Sequence, residues 1–79
     1  MRLDQLLPLL GVVKRRTIAK RLADSGLISV NDSLAKAGKT IKAGDTIHIG
    51  GNASLTIRVT RLPGKSLSKE ERPEYFEAL

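Results

Sequence analysis

The beginning of the chain has the apolar spacing of a short amphipathic helix. Four leucines follow the i, i+3, i+4, i+7 pattern that places side chains on one helix face. They are Leu3, Leu6, Leu7 and Leu10. Asp4 is a candidate N-cap, Pro8 can be accommodated only near the first turn, and Gly11 ends the predicted helix.

A second helix is predicted over residues 14–25, directly after the first. Its apolar positions again recur with helical spacing and form one stripe, predicted to be buried. The stripe consists of Ile18, Ala19, Leu22 and Ala23. Gly26 follows as a residue that can adopt the positive φ that ends many helices.

After Gly26 the apolar period changes to two, which is typical of strands with one buried face. The predicted strands are residues 28–30, 34–37, a short run around Ile41, 46–49 and 55–59. Asn31-Asp32, residues 43–45 and residues 50–52 are predicted turns. Leu55, Ile57 and Val59 should face the core of a small antiparallel sheet.

Beyond Pro63-Gly64 the alternation stops, and Ser68 with Glu71 has the spacing of a capping box that opens a short helix. Tyr75 and Phe76 in that helix either dock on the domain or stack on a base or a partner, and docking is the favoured interpretation. The predicted fold is therefore α+β, with two N-terminal helices on a small antiparallel sheet. We predict a domain over residues 1–62 and a helical tail over residues 63–79.

Composition points to a polyanionic partner. The 79 residues carry 14 Lys and Arg against 8 Asp and Glu, a formal net charge of +6. Residues 1–65 hold 12 of the basic and 4 of the acidic side chains, so the body is basic and the end mildly acidic. Nucleic acid and an anionic membrane surface are both compatible with this balance.

The chain contains no cysteine, which excludes disulfides and thiolate metal sites. Its N-terminal apolar stretch is far shorter than the roughly 20 residues of a membrane span and lacks a signal-peptide pattern. We expect a cytoplasmic protein.

The basic side chains of the second helix are predicted to form a ridge. At about 100° per residue, Arg16, Thr17, Lys20 and Arg21 fall opposite the apolar stripe. Lys14, Arg15 and Arg16 gather at the helix start, where free N–H groups and the helix dipole favour phosphate. A solvated basic face that only aids solubility is the alternative.

Several separated segments together resemble a known RNA-binding motif. They are Arg2-Leu3-Asp4, Lys14-Arg15-Arg16-Thr17, Gly26-Leu27-Ile28-Ser29-Val30-Asn31 and Gly44-Asp45-Thr46-Ile47. Their order and spacing, over about residues 1–60, resemble the alpha-L motif named after small-subunit ribosomal protein S-four. Among its members the chain is similar to the standalone bacterial group of RqcP and heat-shock protein fifteen, since it starts at the motif and ends after a short tail.

The resemblance implies binding to large ribosomal subunits that still carry peptidyl-tRNA after a stall, with contacts to rRNA and tRNA. The implied role is in ribosome-associated quality control, where such a protein assists C-terminal tailing of the nascent chain. The implied partners are large-subunit rRNA, peptidyl-tRNA and a tailing factor, and we expect a monomer without a membrane partner. A recycling factor for stalled subunits and an rRNA-binding module that recruits a separate enzyme are the alternatives.

The resemblance assigns an RNA-facing role to residues of its motif, which are Arg2, Asp4, Lys14, Arg15, Arg16 and Thr17. Lys20 and Arg21 extend the site along the ridge, and Lys36 and Lys39 are second-rank candidates for phosphate contacts. Asp4 is thus either a helix cap or a carboxylate that orients Arg2 or accepts a base amino group. The family's hairpin usually reads Asn-Gly, whereas Asp32 follows Asn31 here, so a close backbone approach to RNA at this turn is doubtful.

No catalytic residue, cofactor or metal site is predicted. His48 alternates with two isoleucines and should be an exposed strand residue, and Asp45 should bond local backbone in a turn. The chain has no Walker pattern and no nucleophile paired with a base. The sequence therefore favours a binding module over an enzyme. Binding to proteins or to a lipid surface alone would instead predict weak RNA affinity.

Overall fold

The computed structural model of the chain describes residues 1–51, 54–64 and 66–79. Two helices come first, α1 over Leu3–Leu9 and α2 over Arg16–Asp24. The strands that follow are β1 (Ile28–Val30), β2 (Ser33–Leu34), β3 (Thr46–Ile49), β4 (Leu55–Val59) and β5 (Phe76–Ala78). A 3-10 turn, Arg72–Glu74, precedes β5. The predicted α+β class is confirmed.

The strands form one antiparallel sheet in the order β2-β1-β3-β4-β5. Ile28 pairs with Ile49 and Ile47 with Ile57 in neighbouring strands, so the apolar positions of successive strands share a face. These residues pack with the α1 leucines in a single core cluster. Ile57 and Val59 are buried as predicted, while Leu55 is only half-buried.

The start of α1 is capped by backbone rather than by a side chain. Arg2 is the N-cap and makes no side-chain cap bond. The Leu3 and Asp4 N–H groups donate instead to the carbonyls of Lys39 at 2.8 Å and Ala37 at 3.1 Å. The N-cap role predicted for Asp4 is therefore wrong. Pro8 lies late in α1 rather than near its first turn, which a helix of 7 residues tolerates because few bonds depend on the missing N–H.

The second helix begins two residues later than predicted and buries only part of the predicted stripe. Ala19 and Ala23 are buried at 1% and 6% exposure, whereas Ile18 is 36% exposed and Leu22 is half-buried. α1 packs closely against α2, and small side chains at the contact permit such an approach. Ile18 was predicted to be buried and is exposed, because the helix packs through the small Ala19 and Ala23. Gly26 has φ +74, as the predicted helix end requires.

The β1–β2 hairpin uses the predicted Asn31-Asp32 turn. Asn31 and Asp32 have φ values of 51° and 70°, the double positive φ of a type I′ turn. Asp45 accepts hydrogen bonds from the Lys42 backbone N–H at 2.9 Å and from the Asn31 side-chain amide at 3.0 Å. The turn role of Asp45 is confirmed, and the bond from Asn31 also ties this hairpin to the turn before β3.

Two predicted strands differ in the structure. β2 ends at Leu34 instead of reaching residue 37. The run around Ile41 makes an isolated bridge between Arg2 and Thr40 and belongs to none of the strands in the described residues. Ile41 is nevertheless buried, and its N–H donates to the Met1 carbonyl at 2.8 Å. The segment is held by α1 and the residues before it, so Ile41 is buried without a strand around it.

The C-terminal residues form an edge strand rather than the predicted α-helix. The Ser68 and Glu71 capping-box bonds are present at 3.1 and 3.3 Å. The helix does not continue, because a 3-10 turn containing Pro73 follows and β5 then pairs with β4. Tyr75 and Phe76 are half-buried against the core, so their docking is confirmed. The domain boundary after residue 62 stays a prediction. The predicted turn over residues 50–52 also stays a prediction, because Asn52 lies outside the described residues.

Gly11 lies so close to the Arg72 side chain that a Cβ at this position would force that side chain to shift. Its φ is +77°, and a Cβ there would stand 2.7 Å from Nη1 and 2.9 Å from Cδ of Arg72. Gly11→Ala should therefore lower the free energy of unfolding by roughly 2–3 kcal/mol, from backbone strain and displacement of Arg72. Gly26→Ala is the matched control, since its φ is +74° but no atom lies within 4 Å of the new Cβ. Equal losses for both variants in urea denaturation would contradict the contact.

Among the described residues, none of the helices combines the length and apolarity needed to cross a membrane.

Candidate nucleic-acid interface

Asp4 lies at the centre of the candidate site and joins two arginines from different elements. Its side chain is 5% exposed. Arg2 Nε donates to Oδ1 at 3.1 Å and its Nη2 to Oδ2 at 3.4 Å. Arg16 Nε lies 3.3 Å from Oδ2, and its Nη2 donates to Oδ1 at 3.4 Å. Both guanidinium groups therefore bind the same carboxylate with two nitrogens each.

The electrostatics of this Asp4 cluster (Arg2, Asp4 and Arg16) favour the ionised carboxylate. Burial alone would raise the pKa of Asp4, but the hydrogen bonds from Arg2 and Arg16 and their positive charges outweigh it. The pKa of Asp4 is consequently below its usual value of 3.8. The cluster has two positive charges and one negative, so it keeps a net positive charge.

The lowered pKa of Asp4 predicts a pH dependence of stability. A carboxyl whose pKa is lower in the folded chain stabilises fully above its unfolded value, and this contribution disappears as pH falls through the folded value. Wild-type stability should thus fall as the pH drops below about 4. Asp4→Asn should be less stable at pH 7 and show a shallower acid loss in denaturation curves between pH 2 and 7. An unchanged acid slope would contradict the cluster.

The two arginines are held but remain accessible. Each side chain is 54% exposed, while the Nε edge of each guanidinium is engaged by Asp4. The other guanidinium edge and a flat face are left for a ligand, and a planar fork suits phosphate or a stacked base. Asp4 thus acts on the site by orienting Arg2, which was one of the two predicted interpretations.

The segment around Gly38 joins the site through its backbone. The bonds from α1 to the carbonyls of Ala37 and Lys39 fix this segment beside the start of α1. A Cβ on Gly38 would lie 3.5 Å from Arg2 Nη2, in ordinary contact. Lys36 and Lys39 are both exposed on this segment. The fold therefore brings them near Arg2, although more than thirty residues separate them in sequence.

The remaining candidates lie on and before α2 and are all exposed. They are Lys14, Arg15, Thr17, Lys20 and Arg21. In the described part of the chain, the four cations in this set have no ion-pair partner. Lys14 precedes the helix, and Arg15 is its N-cap with extended backbone. We call Lys14, Arg15, Lys20 and Arg21 the free cations.

The predicted arrangement of a ridge opposite the buried stripe is wrong in one respect. Because Ala19 and Ala23 face α1, Arg16 projects beside the buried face and meets Asp4 instead of pointing away from the core. Lys20 follows Arg16 by about one turn on the same flank. Sequence periodicity could not place Arg16, since its partner Asp4 lies 12 positions away in another helix.

His48 lies on β3 and is not part of the Asp4 cluster. His48 is exposed, as predicted, and its Nδ1 lies 2.8 Å from Thr56 Oγ1 on the neighbouring strand. Among the residues that the structure describes, no group of three or more metal-binding side chains occurs. An apolar cleft beside α2 was not predicted by the sequence pattern, because its side chains come from five separate stretches of the chain.

The sequence of the chain matches a known protein family. Residues 1–47 match the family model described as S4 domain. Over the whole chain, the sequence is 42% identical to a Bacillus subtilis protein named RQC P-site tRNA stabilizing factor, covering 92% of it. The ribosomal large subunit pseudouridine synthase B of Xanthomonas campestris is 31% identical over 99% of this chain, but the match covers only 18% of that enzyme.

The fold is also found in a solved structure. Heat shock protein 15 of Vibrio cholerae superposes with a TM-score of 0.91, over 100% of this chain and 81% of that one, at 22% sequence identity. This likeness concerns the fold alone.

Proposed function

The chain belongs to the S4 domain family, and we propose that it is an RNA-binding accessory factor of ribosome-associated quality control. In this proposal it binds stalled large ribosomal subunits that carry peptidyl-tRNA, contacts both rRNA and tRNA, and assists C-terminal tailing of the nascent chain. The observation that carries the proposal is the Asp4 cluster, which holds two exposed guanidinium groups, with further exposed cations before and along α2. The name of the Bacillus subtilis relative supports the tRNA partner.

The charge arrangement supports RNA over other partners. The free cations repel one another, and Arg16 and Lys20 stand at the i, i+4 spacing at which like charges destabilise a helix. Phosphates would remove this repulsion and release counterions. The two oriented guanidinium groups of the Asp4 cluster add directional contacts to this general attraction. The RNA-binding residues in the proposal are the candidates named from the sequence, with the buried Asp4 acting through the two arginines that it orients.

A recruiting module for a separate enzyme is the second candidate function. It is favoured by the match to the pseudouridine synthase, which covers this whole domain but little of that enzyme. Because the chain shares only that small portion, we propose a binding role without catalysis for this chain in either case. The two functions differ in whether a modifying enzyme accompanies the chain on the ribosome.

Binding of the chain to isolated large subunits tests the proposal. Wild-type protein should cosediment with large subunits carrying P-site tRNA, and Arg16→Ala should bind roughly tenfold to a hundredfold more weakly, because both a phosphate-binding fork and an Asp4 partner are lost. Arg58→Ala is the control, since Arg58 forms an exposed pair with Glu77 at 3.4 Å on the sheet. Failure of the wild type to sediment at low salt, or equal binding by both variants, would count against the function.

A further inference from the structure

The side chain of Arg72 is half-buried, and within residues 1–51, 54–64 and 66–79 it makes no ion pair. Its Nε is shielded from solvent and has no hydrogen-bond partner among these residues. Four other arginines each pair with a carboxylate, and they are Arg2, Arg16, Arg58 and Arg61. A charged donor that loses water without gaining a partner costs free energy. The fold therefore holds Arg72 in an unfavourable state in the free protein.

The two glutamates beside Arg72 in the 3-10 turn are engaged elsewhere. Glu71 Oε1 accepts a hydrogen bond from the Ser68 backbone N–H at 3.1 Å. Glu74 Oε1 lies 3.8 Å from Nη2 of Arg61. The charge of Arg72 is thus not neutralised by its own turn, and an anion from outside the chain would supply the partner.

Gly11 and the local turn fix the position of the guanidinium. A Cβ on Gly11 would stand 2.7 Å from Nη1 and 2.9 Å from Cδ of Arg72, so this side chain lies directly on the Gly11 backbone. The Arg72 N–H donates to the Ser68 carbonyl at 3.2 Å, and its carbonyl accepts the Tyr75 N–H at 3.0 Å. Both ends of the side chain are therefore held, which lowers the entropic cost of binding an anion.

The contact with Gly11 places Arg72 at the end of α1. Asp4 lies in the first turn of the same helix, so at about 1.5 Å per residue Gly11 stands roughly 10 Å further along the helix axis. From Gly11 the chain returns to Arg16, whose Nε lies 3.3 Å from the Asp4 carboxylate. The α1–α2 connection, residues 10–15, therefore has Arg72 at one end and the Asp4 cluster at the other.

This separation suits the spacing of a nucleic-acid backbone. Lys14 and Arg15 are exposed within the α1–α2 connection. A nucleic-acid strand advances about 3.4 Å per nucleotide, so a strand bound at the Asp4 cluster comes within reach of Arg72 about three nucleotides further on. A partly dehydrated guanidinium also attracts a phosphate more strongly than one in open water.

We propose that Arg72 binds a phosphate of the RNA, as a contact supplied by the C-terminal segment. This inference rests on the proposed RNA-binding function and adds to it a residue that lies outside both the candidates named from the sequence and the matched residues 1–47. Because Nε is buried, the Nη edge of the guanidinium donates to the phosphate, and its planar fork can supply two N–H groups. The RNA surface then includes residues from both ends of the chain.

Arg72→Met tests the contact, because methionine keeps an apolar stem of similar length and has no charge. Large ribosomal subunits carrying P-site tRNA are the probe. The variant should bind them about tenfold more weakly at low salt, and the slope of log affinity against log salt should become shallower by roughly 1, for one lost phosphate contact. Its stability in urea should be unchanged or higher, since a buried charge without a partner is removed. Wild-type affinity and slope in Arg72→Met would overturn the proposal.

Arg61→Met is the matched control for charge. Arg61 is engaged by Glu74 at 3.8 Å, and its Cζ lies 4.2 Å from the centre of the Tyr75 ring. The control should change affinity by less than about twofold, through the overall field alone. Equal weakening by both variants would assign the effect to net charge and overturn the proposal. A purely structural role of Arg72 predicts lost stability with unchanged affinity in Arg72→Met, and that result would overturn it too.

Gly11→Ala displaces the same guanidinium without changing any charge. This variant should also bind the subunits several-fold more weakly, and when added to Arg72→Met it should cause no further loss of affinity. Gly26→Ala has the same positive φ but open space around the new Cβ, so it should bind like the wild type. Full additivity of Gly11→Ala and Arg72→Met in binding would contradict the contact. The comparison of Arg72→Met with Arg61→Met does not depend on the folding of Gly11→Ala.

Failure of this inference is distinguishable from failure of the function on which it rests. If the wild type does not bind large subunits at low salt, the proposed function itself fails. If the wild type binds and Arg72→Met binds equally with the same salt slope, the proposed function stands and the role of Arg72 alone is wrong.

Discussion

Replacing both arginines of the Asp4 cluster by methionine should cost about 3–5 kcal/mol of folding free energy at pH 7. Methionine keeps an apolar cover of similar length over the carboxylate but supplies no charge and no hydrogen bond. Asp4, 4% exposed in the wild type, would then carry its charge without partners. Since domains are stable by only about 5–15 kcal/mol, Arg2→Met/Arg16→Met should be visibly less stable in urea denaturation.

Two further measurements identify the cause of that loss. Asp4→Leu added to the double variant should restore most of the stability, because no charge is then left buried. The pKa of Asp4 in the double variant should rise above its usual value, so the loss should shrink as pH falls toward 4. Arg58→Met, which breaks only the exposed pair with Glu77, should cost less than about 1 kcal/mol. A double variant as stable as Arg58→Met would contradict the central position of Asp4.

Neutralising three free cations should weaken RNA binding about a hundredfold at low salt without destabilising the fold. Lys14→Gln/Arg15→Gln/Lys20→Gln removes exposed charges that have no partner among the described residues. If each contacts one phosphate, the slope of log affinity against log salt should become shallower by roughly 2–3. Because like charges are removed, urea denaturation should show unchanged or slightly higher stability.

The control for this variant removes the same charge elsewhere. Arg58→Gln/Arg61→Gln/Lys69→Gln leaves the same net charge but changes cations of β4 and the segments after it, two of which are paired with Glu77 and Glu74. It should reduce affinity only a fewfold through the weaker overall field. If both triple variants bind RNA equally, net charge and not a localised surface accounts for binding.

Local features of the sequence predicted much of the fold. The glycines at positions 11 and 26 end the two helices with φ values of +77° and +74°, and Asn31-Asp32 forms the turn that its composition favours. These positions were predictable because the backbone conformation there depends on the residue itself. The strand positions were also visible, since burial of one sheet face imposes a period of two on the sequence.

Structural features that depend on contacts between residues far apart in sequence could not be predicted from local sequence patterns. Arg16 meets Asp4 only because the small Ala19 and Ala23 let α1 approach α2. Ile18 and Leu22 are larger and more apolar than the alanines. The sequence pattern therefore predicted a buried stripe that included them and lay too far from Arg16. At the C-terminus the capping box was real, but pairing of Phe76 with Val59 prevailed over helix propensity. Tertiary contacts overrode a weak local preference in both cases.

The composition of complexes purified from cells tests the central claim most directly. The tagged wild-type chain and its Lys14→Gln/Arg15→Gln/Lys20→Gln variant would be recovered from cells with stalled translation, and their RNA and particles identified. We predict that the wild type brings large ribosomal subunits with tRNA still attached to a nascent chain, and that the variant brings far less. Recovery of wild type without large subunits, or equal recovery by the variant, would contradict the account.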